Sequence, residues 1–415
     1  MDDVISNIIV ISVTSAWAVT LPVLLARYFI PKARKAPSPI SDAYAGAEPI
    51  PLKNAVVAAL LSFVASRALL AVFGLFSGII ASDPGRLNIF NWIKWDADHY
   101  LGLADNWYVN EGDARFHIVF FPLYPALIRA FVLAFGFDAR VVGIVVSNVC
   151  LIISAATMYK MAGEQYGERR GAAAARLFML SPMTMFFSLP YSESLFFMLT
   201  VLAVYMARRR KFALALAFAA LASASRLLGL LAAVGVFYEF IRDNRGFKAR
   251  DYVKYALVTC LASAGFLSYL ALNLAVTGDA FTFLAYQREH WSQQMGSLAN
   301  TLRYTLQNAA DYSDENIRLG TWIPQVAAII VPVILLALTF RRVSPADGAY
   351  ALLYIWFALS PTWLLSGARY ISAMYPLYIM VASLPGGRKG EIVACCASAF
   401  LMFYMVHRFL SGGVM

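Results

Sequence analysis

Charge is scarce in this chain. Only 14% of its 415 residues are Asp, Glu, Lys or Arg, against 60% that are hydrophobic. So little charge does not keep a soluble fold of this size hydrated; the composition is that of an integral membrane protein. Cysteine is scarce too. Cys150, Cys260, Cys395 and Cys396 all lie in apolar runs. Their spacing gives neither a zinc site nor a disulfide framework, so they read as buried, inert thiols. A Gly-rich phosphate loop, a soluble α/β nucleotide domain, a solenoid repeat and a local Ser/His/Asp signature are all missing. The net charge is +10, yet the basic residues fall in short clusters between apolar runs. Cytoplasmic anchoring places them so. The expected surroundings are membrane lipids, with no nucleic-acid partner.

What is there is a series of long apolar runs. A bilayer core of about 30 Å needs roughly 20 helical residues. The first run, 4–30, follows Asp2 and Asp3 and has no convincing small-residue cleavage site, so it is expected to be a retained helix and not a signal peptide. The stretch 31–53 carries Lys32, Arg34, Lys35, Lys53 and several prolines, and is expected as an irregular cytoplasmic linker. Residues 1–53 are thus expected as an N-terminal helix and linker, and 54–415 as the main membrane body. Segment 54–81 crosses outward to a polar loop in which Asp83, Asp96, Asp98, Asp105, Glu111 and Asp113 outnumber Arg86, Lys94 and Arg115.

The next apolar stretch, 116–137, contains Pro122 and Pro125. If it crosses, five basic clusters end up outside: Arg169-Arg170, Arg208 to Lys211, Arg242 to Lys254, Arg341-Arg342 and Arg388-Lys389. If it lies along the outer surface as an amphipathic or re-entrant segment, all five fall inside. The Lys/Arg bias sets orientation and favours the second arrangement. The remaining crossings are 140–160, 172–188, 191–207, 212–225, 228–241, 255–276, 323–340, 348–365, 370–385 and 391–410. The expectation is an all-α bundle of about 12 transmembrane helices. Its first external loop, 83–139, carries surface helices, and a second external loop spans 277–322. Segments 212–225 and 228–241 are short; one helix over 212–241 is the alternative, but it would place a basic end outside.

Ionisable residues inside apolar spans are costly and tend to face cavities. Arg67 lies within 54–81, while Glu193, Arg226 and Arg369 lie at outward turns. They can snorkel to headgroups or form an internal salt bridge such as Glu193–Arg226. Alternatively, the three arginines bind an anionic lipid, since guanidinium makes fixed, charge-assisted bonds to phosphate oxygens. On the same expected face stands Trp95-Asp96-Ala97-Asp98-His99-Tyr100. One carboxylate there suffices as general base toward a hydroxyl when a lipid phosphate departs. Glycoside hydrolysis fits less well, for nothing nearby keeps a second carboxyl dry enough to act as an acid. Asp-Ala-Asp also matches a metal-binding triplet. No metal is required, and a divalent ion between the two stays open.

These residues carry a resemblance. Trp-Asp-Ala-Asp-His-Tyr-Leu-Gly-Leu-Ala (95–104) and Phe-Phe-Pro-Leu-Tyr-Pro (120–125) resemble the first luminal loop of the PIG-V family, the GPI mannosyltransferase II enzymes. Residues 181–196, ending in Tyr-Ser-Glu-Ser-Leu-Phe, resemble a second block. Ala-Ser-Arg-Leu-Leu-Gly-Leu (224–230) and Ala-Arg-Tyr (368–370) are similar to two weaker ones. The resemblance implies a GT-C-type glycosyltransferase with an acidic residue of the first external loop near the reacting hydroxyl. It implies mannose transfer with inversion, from polyprenyl- or dolichyl-phosphate mannose to a lipid-linked or glycan acceptor hydroxyl. Asp96 is the base it implies and Asp98 a second candidate. Arg67, Arg226 and Arg369 are expected at the donor phosphate, and Trp95, His99, Tyr100, Tyr191, Glu193 and Tyr370 at the substrates. The site would face the periplasm or the endoplasmic reticulum lumen, from a bacterial inner membrane or an endoplasmic reticulum membrane. Two alternatives stay open: a transferase of another polyprenyl-phosphate sugar, or a lipid-linked sugar transporter. A flippase needs polar residues on both membrane faces, whereas the intramembrane charge lies mainly on one.

Overall fold

The computed structural model describes residues 49–242 and 248–413. The expected helix 4–30 and most of the linker 31–53 lie outside them. The described chain is helical, and the single β-bridge among these residues joins Met295 to Pro361. In chain order the principal helices are α1 (Leu52–Ala81), α2 (Asp96–Asn106), α3 (Leu123–Phe135), α4 (Ala139–Tyr166), α5 (Glu168–Met179), α6 (Glu193–Arg208), α7 (Phe212–Ser225) and α8 (Ala232–Ile241). They continue with α9 (Ala249–Thr259), α10 (Ala264–Thr277), α11 (Thr282–Trp291), α12 (Leu298–Asp311), α13 (Ile323–Thr339), α14 (Pro345–Ala358), α15 (Gly367–Ser372), α16 (Pro376–Ala382) and α17 (Gly387–Leu410).

Among the described residues, five helical stretches are long and apolar enough to cross a membrane: Leu52–Ala81, Ala139–Tyr166, Ala249–Thr277, Glu315–Thr339 and Gly387–Leu410. They coincide with the expected crossings 54–81, 140–160, 255–276, 323–340 and 391–410. Their exposed Leu61, Val64, Ile79, Val145, Leu257, Leu338 and Phe400 are the side chains a lipid-facing surface carries. The expected crossings at 172–188, 191–207, 212–225, 228–241, 348–365 and 370–385 fall on shorter helices. Even α6, with 16 residues, reaches only about 24 Å at 1.5 Å per residue. The stretch 116–137 is not one straight helix. A 3-10 turn, Asp113–Val119, and α3 meet at 115° around Pro122, because proline has no N–H to give a continuing helix and crowds the preceding turn.

The chain divides into two compact units. One contains Asn88–Thr157 and Met185–Gln294. Here α7 is lined with small residues: Ala215, Ala219 and Ala222 are fully buried. They let α10 come so close that a Cβ on Gly265 would lie 2.0 Å from the Ala220 carbonyl oxygen. Small side chains permit such approach where lipid gives no hydrophobic drive between helices. The loop helix α2 packs on α3, and Arg129 of α3 donates to the carbonyls of Ala104 (2.8 Å) and Asp105 (2.7 Å) at the end of α2. Tyr269 of α10 donates to the Ile118 carbonyl at 2.8 Å.

Among the described residues, the other unit draws on 49–87, Met158–Thr184 and 295–413. In it α1 packs on α5 and α17, and α13 on α12, α14, α15 and α16. Asp347, fully buried in the first turn of α14, accepts from Tyr166 (2.5 Å), Tyr375 (2.7 Å) and the Ser344 hydroxyl (2.8 Å). Such bonds make a buried carboxylate tolerable.

Candidate active site

The opening motif builds the start of α2. Trp95 takes a left-handed φ of 54°, a conformation non-glycine residues rarely adopt and which concentrates at functional sites. It turns the chain directly into the helix. Asp96 and Asp98 therefore fall in the first helical turn, where the helix dipole favours negative charge. Ala97, Tyr100, Leu101 and Ala104 recur at helical spacing and are buried, so the helix lies on the protein by one face. That leaves Asp98 on the exposed side and Asp96 half-buried. Loss of hydration raises the Asp98 carboxyl above its usual range, and His99 opposes the rise.

A second layer comes from the Tyr-Ser-Glu-Ser block. Glu193 is fully buried in the first turn of α6. Arg226 lies between α7 and the 3-10 turn Leu227–Leu231 in an extended conformation. The helix over 212–241 thus breaks at the arginine, and the two-helix arrangement holds. Arg226 donates to Glu193 Oε1 at 2.7 Å and to the Ser192 hydroxyl at 3.0 Å. This is the internal salt bridge that the sequence leaves open. Ser192 Oγ lies 2.7 Å from the Tyr100 hydroxyl, so a continuous polar chain ties α2 to the turns that bear Glu193 and Arg226. Burial pushes the Tyr100 phenol far above its ordinary range, which keeps it a protonated hydrogen-bonding group. Tyr191, also fully buried, donates to the Lys94 carbonyl at 2.7 Å. The hydroxyls of Tyr100 and Tyr191 are therefore engaged in holding the loop that carries Asp96.

His99 meets residues that sequence reasoning did not single out as site residues. Its Nδ1 lies 3.0 Å from His117 Nε2, and Trp291 packs edge-on at 6.4 Å between ring centroids. Ser192 lies inside a quoted block and was in reach of the sequence. His117 comes from an irregular stretch with no motif or periodicity to mark it.

Arg67, Arg369 and Tyr370 belong to the other unit. Arg67 donates to Thr184 at 2.6 Å and stands over the Phe63 ring at 5.6 Å. Arg369 is buried at 5% exposure, with its guanidinium 5.5 Å from the Tyr370 ring centroid. The Tyr370 carbonyl accepts from Tyr354 at 2.9 Å. Among the described residues, no three His, Cys, Asp or Glu side chains gather closely enough to share a metal ion.

Comparison with known proteins places this geometry. The chain is 29% identical over 207 residues to GPI alpha-1,6-mannosyltransferase 2 of Cricetulus griseus, which covers 46% of this chain and 40% of that protein. It is 30% identical over 112 residues to GPI mannosyltransferase 2 of Drosophila pseudoobscura pseudoobscura, covering 25% and 24%. The matched stretches thus span well under half the length of these relatives. Among solved structures, ArnT from Cupriavidus metallidurans bound to undecaprenyl phosphate superposes with a TM-score of 0.51 at 14% identity, over 84% of this chain and 76% of that one. At that identity the likeness is one of fold, the GT-C type. Residues 56–299, which hold the loop carboxylates and the Glu193–Arg226 pair, match the family Mannosyltransferase (PIG-V), and the chain belongs to that family.

Proposed function

We propose that this protein is a multi-pass membrane glycosyltransferase. In this reading it moves mannose from a polyprenyl- or dolichyl-phosphate donor to an acceptor hydroxyl, at a site on the periplasmic or luminal face. The observation that carries the reading is the placement of Asp96. It opens a helix that is tied through Tyr100 and Ser192 to a buried Glu193–Arg226 pair, within a chain of the PIG-V family.

Asp96 takes the acceptor proton while the acceptor oxygen attacks the sugar's anomeric carbon. The bond from that carbon to the phosphate oxygen breaks, the phosphate leaves with the electron pair, and the sugar inverts. Arg226 is already balanced by Glu193, so it contributes directed N–H donors more than net charge. Arg67 and Arg369 are proposed donor-phosphate residues, and loss of transfer in Arg67→Ala or Arg369→Ala with the protein still folded would support each. The ArnT structure was solved with undecaprenyl phosphate, which supports a polyprenyl-phosphate donor here. The acceptor is a hydroxyl on a lipid or glycan.

The test is transfer of radiolabelled mannose from polyprenyl-phosphate mannose by the purified full chain in detergent. Detergent leaves no second compartment, so product excludes pure transport. Labelled product from the native chain and none from Asp96→Asn supports the reading. Full activity of that variant removes Asp96 as the base.

A further inference from the structure

The chain has four histidines, and three of them meet beside the loop carboxylates. His99 of α2 and His117 of the 3-10 turn 113–119 face each other with Nδ1 and Nε2 3.0 Å apart and ring centroids 4.7 Å apart. His290, at the end of α11, stacks on Phe116 at 4.4 Å and packs against Trp291 at 4.4 Å. Phe120 stands 5.0 Å from His99 and 5.9 Å from Trp291. The cluster thus joins the first external loop to the second.

Two ring nitrogens 3.0 Å apart share one proton: one must be N–H and the other a bare lone pair. The pair is bonded only while it carries a single positive charge at most. The charged and titratable groups around it are Asp96 and Asp98 on α2 and His290 on α11. Arg115 is turned away, onto the Phe116 ring at 4.1 Å and to Glu289 at 3.3 Å. Burial lowers His99, the two carboxylates oppose this, and His290 adds to it. Burial, then His99 and His290, bring His117 down to about 4. Both rings are therefore neutral near pH 7, and the ring that donates within the pair keeps its one lone pair free. His117 passes on any proton it receives.

A transferase that takes a proton onto a carboxylate must return that carboxylate to its base form before the next turnover. We propose that His117 is a positioning residue which, through its bond to His99, makes the two imidazoles the route by which the loop carboxylate discharges the acceptor's proton to water. The inference rests on the carboxylate acting as base. The proton leaves the carboxyl for the free nitrogen of His99. The His99 Nδ1 proton crosses to His117 Nε2, and the Nδ1 proton of His117 goes to solvent. No net charge is left on the pair, and proton exchange with water at His99 Nε2 and His117 Nδ1, on two half-buried rings, restores the starting tautomers.

The experiment compares the native full chain, His117→Gln, His117→Ala and Asp96→Asn in the detergent transfer assay, with and without added imidazole. Gln keeps a side-chain carbonyl oxygen that can accept from His99 Nδ1–H but cannot relay a proton. Its kcat should fall about tenfold, below the roughly 10²–10⁴-fold of a direct general acid or base because water can still take the proton, at unchanged KM for the donor. His117→Ala should fall as far and recover in imidazole. Native kcat in His117→Gln, or an alanine variant indifferent to imidazole, overturns the relay and leaves His117 a packing residue. Full activity in Asp96→Asn overturns the base assignment itself, a separate failure.

Discussion

Arg226 Nη1 stands 2.7 Å from Glu193 Oε1, with the glutamate side chain fully buried and the arginine side chain 18% exposed. Glu193 stands at the start of α6 and Arg226 just past the end of α7, so the pair closes one turn on the other. Breaking a buried pair strands its partner, which costs about 3–5 kcal/mol when both charges are dry. Arg226 keeps some water, so Glu193→Ala should cost somewhat less, about 2–4 kcal/mol. Glu193→Gln, which keeps one acceptor, should cost less again. The double variant Glu193→Ala/Arg226→Ala should be more stable than additivity of the two singles predicts. Unfolding midpoints in detergent check this, and strict additivity would mean the pair does no work in the fold.

The two loop carboxylates should separate in their effects on transfer. Asp96 is half-buried at the start of α2, and Asp98 is on its exposed side. Replacing a general base costs about 10²–10⁴-fold in rate. Asp96→Asn should show that loss with its unfolding midpoint preserved, and Asp98→Asn a loss below about tenfold. Steady-state rates on both purified variants decide it. A reversed order moves the base to Asp98, whose raised proton affinity would then set the acidic limb of the rate profile.

The imidazole cluster makes stability depend on pH in a fixed direction. Burial holds His117 near 4 and His99 below its ordinary 6.5. The unfolded chain therefore binds protons before the folded one as the medium is acidified. Their contribution is complete above about pH 6.5 and is lost as pH falls from there toward 4. His117→Phe, which keeps an aromatic ring, should flatten the dependence of the unfolding midpoint over that window. An unchanged slope would assign the acid sensitivity to other groups.

Much of this architecture is legible in the sequence because the membrane makes exceptions expensive. Arg226 inside an apolar run signals a break, and α7 ends beside it. Pro122 and Pro125 argue against a straight crossing over 116–137, and the chain bends 115° there. Positive clusters and run lengths locate the five span-length helices. Other features have no linear signature. His99 and His117 are 18 residues apart in a stretch without periodicity, and only the folding of the loop onto α11 brings His290 near them. Tyr191 reads from its motif as a substrate residue. Its hydroxyl meets the Lys94 carbonyl, a backbone partner that no side-chain pattern encodes. Short helices such as α16 also escape a reading based on run length, since their apolar runs continue through the adjoining turns.

That Tyr191 bond carries the last prediction. Its hydroxyl donates at 2.7 Å to the carbonyl two residues before Asp96, and the intervening Trp95 is held at a left-handed φ of 54°. A strained backbone persists only while its surroundings over-determine it. Tyr191→Phe removes the donor and leaves the ring, so packing against Phe186 at 5.0 Å is kept. The Lys94 carbonyl keeps the Ala97 N–H at 3.2 Å, so losing the tyrosine bond should cost about 0.5–1.5 kcal/mol, part of which the loop recovers by relaxing at Trp95. Relaxation displaces Asp96, so kcat should fall further than the unfolding midpoint suggests, while KM for the donor changes little. Trp95→Gly offers the control, because glycine accepts that φ without strain. In the Trp95→Gly background the added Tyr191→Phe change should lower kcat less than it does in the native chain. Equal losses in both backgrounds would show that the tyrosine and the strained turn act independently.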